Sequence, residues 1–144
     1  MRKAARLVRP GGALAFHEVR LSGVTKSFPS VPLWDLTVNL VRIALQSSVS
    51  NYDGADRLGK HFLEACLPYP HLFSEELVGG SADSPLYRSL AEILQTLQPQ
   101  LERMSIRTAE TIAMDGLESR LRDAVIEARS QIYGPAQVCA WARL

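Results

Sequence analysis

Apolar positions recur along this chain with two different periods. Residues 13–19 (ALAFHEV) are apolar almost throughout, between Gly11-Gly12 and Ser22-Gly23. That pattern predicts a short strand buried on both faces, as in a parallel sheet, with polar residues only at His17 and Glu18. Residues 71–79 (HLFSEELVG) alternate less cleanly and predict a second strand ending at Gly79-Gly80, and residues 136–144 (AQVCAWARL) predict a last one. Between them the period becomes helical. From Leu33 to Ser47, Trp34, Val38, Val41 and Leu45 share one face, broadened by Leu36, Leu40 and Ile43. A helix from about Gly54 to Cys66 carries Leu58, Phe62 and Ala65, and Pro68 and Pro70 close it.

Ser84-Pro85 reads as an N-cap followed by proline at the first helical position. The helix it opens carries Leu86, Leu90, Leu94 or Ile93, Leu97, Leu101 and Met104, and Pro99 is expected to kink or split it. Thr108 and Asp115 are further N-cap candidates. Asp115 with Glu118 resembles a capping box before a helix that uses Leu117, Leu121, Ala124, Val125 and Ala128. Residues 1–9 (MRKAARLVR) look like the last turns of an amphipathic helix, stopped by Pro10-Gly11-Gly12. The order is half a helix, strand, helices, strand, helices, strand. It predicts an α/β fold whose three strands form an incomplete sheet, with the chain opening partway through an element.

Composition narrows the classes. The 144 residues make one domain's worth of chain, and 47% hydrophobic with 22% charged residues is a globular balance. A net charge of +1 does not suit a general nucleic-acid binder. Arg6, Arg9 and Pro10 interrupt any signal-peptide core, and Asp35 and Arg42 interrupt the longest apolar stretch. The expectation is a cytoplasmic protein with no membrane or nucleic-acid partner. Cys66 and Cys139 have no CxxC or Cys/His context, so no metal site is expected. They are read as two buried thiols, since a disulfide is unneeded at this size.

The run from Ala5 to Glu18 (ARLVRPGGALAFHE) resembles class I S-adenosylmethionine-dependent methyltransferases, in which a helix ends in a pattern like LxPGG and leads at once into the fifth strand. Residues 54–68 (GADRLGKHFLEACLP) resemble the helix and turn before that family's sixth strand, and AQVCAWARL is similar to its seventh and last. The resemblance covers essentially the whole chain. It implies residues 1–144 as one partial domain, the C-terminal part of a Rossmann-like methyltransferase sheet, with a helical insertion at 84–130 before the last strand. The family's cofactor site uses a Gly-rich turn after the first strand and an acidic residue ending the second. Neither is present here, since Gly11-Gly12 and Gly79-Gly80 lack that spacing.

The resemblance therefore implies methyl transfer to a small molecule, with S-adenosylmethionine bound by the full-length parent and not by this chain alone. The chain would be a truncated frame, a split-gene remnant or a subunit, inactive by itself. Its contribution would be the substrate side: His17 and Glu18 at the end of the first strand, and Phe28 and Trp34 in the region that lids the substrate in that family. Trp34 and Phe28 also fit ordinary core positions. His61 and His71 lack a ligand partner and read as surface or capping residues. Asp53, Asp56 and Arg57 read as a solvated helix start. The alternative is a non-catalytic interaction module, in which the Leu-rich helices form a homodimer or bind a partner.

Overall fold

A computed structural model describes residues 1–23, 26–106 and 112–144, so the expected cap at Thr108 lies outside the described residues. In chain order the elements are α1 (Arg2–Ala5), β1 (Ala13–Val19), β2 (Ser27–Phe28), α2 (Pro32–Ser48), a 3-10 turn (Ala55–Arg57), α3 (Leu58–Glu64), β3 (His71–Glu75), β4 (Val78–Gly79), α4 (Leu86–Arg103), α5 (Leu117–Glu127), β5 (Gln131–Tyr133) and β6 (Gln137–Arg143). The fold is mixed α/β with two small three-stranded antiparallel sheets. The chain divides into two compact units, Met1–Gly23 with Asn51–Glu76 and Pro135–Leu144, and Val24–Ser50 with Leu77–Gly134. The expected insertion at 84–130 is thus part of a larger unit that also includes α2. No helix among the described residues is long and apolar enough to cross a membrane.

In the first unit the sheet order is β1-β6-β3. β6 is antiparallel to both neighbours, so β1 and β3 run parallel to each other without pairing. The pairing Ala15↔Trp141↔His71 and His17↔Cys139↔Phe73 sets the odd-numbered side chains of all three strands on one face. Leu14, Phe16, Val138, Ala140 and Ala142 occupy the other. There they pack with Leu58 and Phe62 of α3 and with Met1, Ala4, Ala5 and Val8. Phe62 is fully buried, its ring edge-on to Phe16 at 5.9 Å.

This corrects the expectation for residues 13–19. Only Leu14 is buried in β1, while Ala13, Ala15 and His17 are exposed. A continuous apolar run therefore marks here a strand covered on one face. The first helix is also shorter than residues 1–9, because the backbone turns at Leu7 and Val8. Gly11 then takes φ +76°, a left-handed value that favours glycine. Its N–H donates to Leu144 O at 2.6 Å, and the Leu144 N–H donates back to Gly12 O at 2.9 Å. The Pro-Gly-Gly turn is thereby tied to the end of β6. The thiols are free but not buried: Cys66 is exposed and Cys139 half-buried.

The second unit sets α2, α4 and α5 around a core that includes Trp34, Leu40, Leu94, Leu101, Leu121 and Val125. The sheet beneath has the order β2-β5-β4. Chain connections put the starts of both α2 and α4 near this sheet. Ser47 at the end of α2 meets Gln100 (3.1 Å) and Met104 (3.2 Å) at the end of α4, so the two helices run in the same direction. The buried line of α2 is Trp34, Thr37, Leu40 and Ala44, which shares only Trp34 with the four-residue face read from the sequence.

Pro99 lies inside α4 without splitting it. The N-cap is Pro85 and not Ser84, whose Oγ receives the Leu86 N–H at 3.4 Å. Asp115 does not cap α5. The N-cap is Gly116 in the left-handed region at φ +63°, where an L-residue would be strained. Residues 71–79 form two strands instead of one. β3 pairs in the first unit, and β4 pairs with β5 in the second.

Candidate active site

In open α/β sheets polar chemistry gathers beyond the carboxyl ends of parallel strands, because ligands there reach side chains from several strands. β1 and β3 are the parallel pair of the first unit, and their carboxyl ends, Val19 and Glu75, flank Gln137 at the start of β6. Two polar groupings stand at this end.

The first is on the open face. His17 Nε2 lies 3.4 Å from Glu75 Oε1, with both side chains at least half exposed. The two strands are separated by β6, so the side chains meet over it, in the register of Cys139 and Gln137. The rest of the open face is apolar and aromatic. Phe73 is 51% exposed, Val19 is exposed, and the His71 ring stacks on Trp141 at 4.5 Å and 21°.

The second grouping is in the loop after β1. Arg20 Nε donates to Asp56 Oδ1 at 2.7 Å, Ser22 Oγ donates to the other carboxylate oxygen, and the Arg20 N–H donates to Ala136 O at 2.8 Å. Asp56, exposed in the first turn of the 3-10 element as a solvated helix start would be, also clasps the exit of β1. Asp53 fits that description too, pairing with Arg57 at 2.8 Å on an exposed surface.

The structure places the four expected site residues differently. His17 is on the open face at the carboxyl end. Glu18 alternates to the opposite face, in register with Val138 and Ser74, and is exposed. Phe28 is in the second unit on β2 and 76% exposed. Trp34 is 1% exposed in the second unit's core, edge-on to Tyr87 at 6.3 Å, so it fills core and lines no open surface. Helical spacing at Trp34 is satisfied equally by a lid and by a core, and packing made it core. Neighbouring Asp35 accepts from Ser27 Oγ (2.8 Å) and Ser30 Oγ (2.5 Å), which fixes the turn into α2.

Sequence reasoning missed Glu75. It lay within the 71–79 candidate strand, but only the insertion of β6 between β1 and β3 brings it to His17. His71 likewise has an aromatic partner that sequence did not indicate.

Of the two glycine doublets, Gly11 has open space beside it, whereas Gly12, Gly79 and Gly80 are crowded. A Cβ at Gly12 would come within 2.7 Å of Val8 Cγ1 and 2.9 Å of Arg9 O, and one at Gly80 within 2.7 Å of Ser130 O. At Gly79 it would press on Ser84 Oγ. The chain's own atoms fill the space beside these three glycines. No protein-family model matches the chain, and no curated protein matches it either.

Proposed function

We propose that this chain is the substrate side of an S-adenosylmethionine-dependent methyltransferase that acts on a small molecule. The observation that carries the reading is the order β1-β6-β3, with the last strand set antiparallel between two parallel ones. That is the arrangement implied if β1, β3 and β6 stand for the fifth, sixth and seventh strands of the family that ARLVRPGGALAFHE resembles. The outer edge of β1 supports it further, since among the described residues it has no strand partner and could continue a Rossmann-like sheet. The cofactor is then held by a Gly-rich strand-turn-helix half that these 144 residues do not contain, and β1 is where the two halves join. In this arrangement the chain's own residues bind and orient the acceptor at the carboxyl end of β1 and β3.

The experiment is to read the DNA upstream of Met1 and in the adjoining genes for a strand followed by a Gly-rich turn. That half is then expressed with this chain, and S-adenosylmethionine binding is measured by calorimetry. Binding by the pair is expected. A pair that binds no cofactor, or tight binding by the 144 residues alone, overturns the reading.

One observation favours a second reading, self-association through the helices. Leu45, Ser89, Glu92, Ile93, Thr96 and Leu97 line a groove of about 500 Å³ on α2 and α4, with Ile93 exposed. Sedimentation decides it: a concentration-independent monomer removes this reading and leaves the first untouched.

A further inference from the structure

We propose that the outer edge of β3 is a dimerisation strand, and that its partner is β3 of a second copy of this chain, paired antiparallel about a two-fold axis through Phe73. The proposal does not rest on the methyltransferase reading, because it uses the edge of the sheet opposite β1.

All five residues of β3 are exposed, Leu72 and Phe73 among them, although β6 pairs with the strand along its whole length. Beyond β3 the sheet has no further strand among the described residues. Such an edge is a template for another strand unless lysine, proline or a bulge blunts it. His71–Glu75 holds neither lysine nor proline, and its register with β6 runs without a bulge.

The ladder shows which backbone groups are free. Just outside the strand ends the Arg20 N–H donates to Ala136 O, and the Leu144 N–H donates to Gly12 O. Hydrogen-bonded pairs alternate along an antiparallel ladder. β6 therefore turns its even-numbered backbone groups to β1 and its odd-numbered ones to β3. His71, Phe73 and Glu75 are the β3 residues bonded to β6, and the N–H and C=O groups of Leu72 and Ser74 point outward. Pro70, at the next outward position, has no N–H to add.

A second copy satisfies those groups in one register better than in its neighbours. With the axis at Phe73, Leu72 of each copy exchanges both hydrogen bonds with Ser74 of the other. Phe73 faces Phe73 of the second copy as a non-hydrogen-bonded pair, the closer kind, and His71 faces Glu75 at both ends. Moving the axis to Leu72 sets Phe73 opposite His71, and moving it to Ser74 sets Phe73 opposite Glu75. Only the Phe73 axis matches aromatic with aromatic and imidazole with carboxylate. Glu75 then lies between His17 of its own copy and His71 of the second. A net charge of +1 on each copy offers little repulsion. The two three-stranded sheets become one of six strands, an ordinary size. The pairing runs in the plane of the sheet, so it leaves the open face uncovered.

The test is sedimentation equilibrium and amide hydrogen exchange of the full chain over a wide range of concentration. A reversible dimer is expected. The Leu72 and Ser74 amides should slow as it fills, about tenfold when nine-tenths of the chain is paired, while the Phe73 amide stays protected by β6 throughout. Phe73→Lys sets like charges together on the axis and should abolish the dimer without changing the far-ultraviolet circular dichroism. His71→Glu should weaken it about tenfold, because the pair occurs twice, and adding Glu75→Lys should restore it. Ile93→Lys, in the groove between α2 and α4, should leave it unchanged. A chain that is monomeric at every concentration overturns the proposal, whether or not it takes up an extended strand from another protein. So do Leu72 and Ser74 amides indifferent to concentration, or a double variant that fails to restore the dimer. A dimer lost in Ile93→Lys and kept in Phe73→Lys overturns it as well, and assigns self-association to the helices.

Discussion

The site depends on a sheet covered on one face and open on the other, and two phenylalanines measure that difference. Phe62 is 0% exposed and packs edge-on against Phe16 beneath the sheet. Phe73, on the opposite face, is 51% exposed. Replacing a buried phenylalanine by alanine removes its transfer free energy and leaves a cavity, together about 3–5 kcal/mol. An exposed position away from special features changes stability by no more than about 0.5 kcal/mol. Phe62→Ala is therefore expected to cost about 4 kcal/mol in the first unit, and Phe73→Ala about a tenth of that.

Amide hydrogen exchange along β6 reads this unit alone, because β6 pairs on both sides within it. At about 1.4 kcal/mol per decade, Phe62→Ala should speed β6 exchange nearly a thousandfold, and Phe73→Ala by less than threefold. Equal acceleration by both variants would mean that the odd-numbered face is packed in solution. His17 and Glu75 would then face protein instead of a ligand, and the assignment of the site would fail.

Trp34 and Tyr87 are both buried, and neither Trp34 Nε1 nor the Tyr87 hydroxyl has a hydrogen-bond partner among the described residues. Trp34→Phe, which removes the unpaired donor, should cost less than about 1.5 kcal/mol in urea unfolding, whereas Trp34→Ala should cost about 3–5. Burial pushes the Tyr87 hydroxyl above its ordinary value of 10.0, with the Arg122 charge opposing and Asp83 reinforcing the shift. Its neutral form is the one the fold favours, so the associated stability is present below pH 10 and lost as pH rises through the folded value. Alkaline titration followed by tyrosinate absorbance should show one late hydroxyl that disappears in Tyr87→Phe. Asp35→Ala strands the Ser27 and Ser30 hydroxyls and should cost about 1–2 kcal/mol in thermal unfolding. Gly12→Ala forces its new methyl against Val8 and Arg9 and should cost about 1–3 kcal/mol, with a near-neutral result refuting the tight turn.

What could be read in advance was set by local physics. The α2 and α4 stretches announced themselves through periodicity and proline placement, and β1 and β6 through bounded apolar runs. The failures occur where a distant partner decides. One-sided cover of β1 depends on what packs above it, and nothing in ALAFHEV carries that information. The division of residues 71–79 follows from two different pairing strands, β6 for His71–Glu75 and β5 for Val78–Gly79. Asp115 had the right chemistry for a cap, but Gly116 could adopt the left-handed turn and took the position. At the candidate site His17 was legible as a polar residue ending a strand. Its companion was not, because the contact between His17 and Glu75 exists only once a strand more than sixty residues beyond Glu75 has come between them.

That interposed strand also dictates a timetable. While the protein is being made, β1 and β3 emerge from the ribosome before the strand that joins them, since among the described residues neither pairs with anything but β6 in this sheet. The whole of α4 and α5 is synthesised before the strand that can join them. Such late, long-range closure is slow and leaves bare backbone edges exposed to other nascent chains. The helical unit has all its sequence in hand before β6 exists, so it can settle first. Shortening the message by the last strand would remove the one strand that joins β1 to β3 among the described residues.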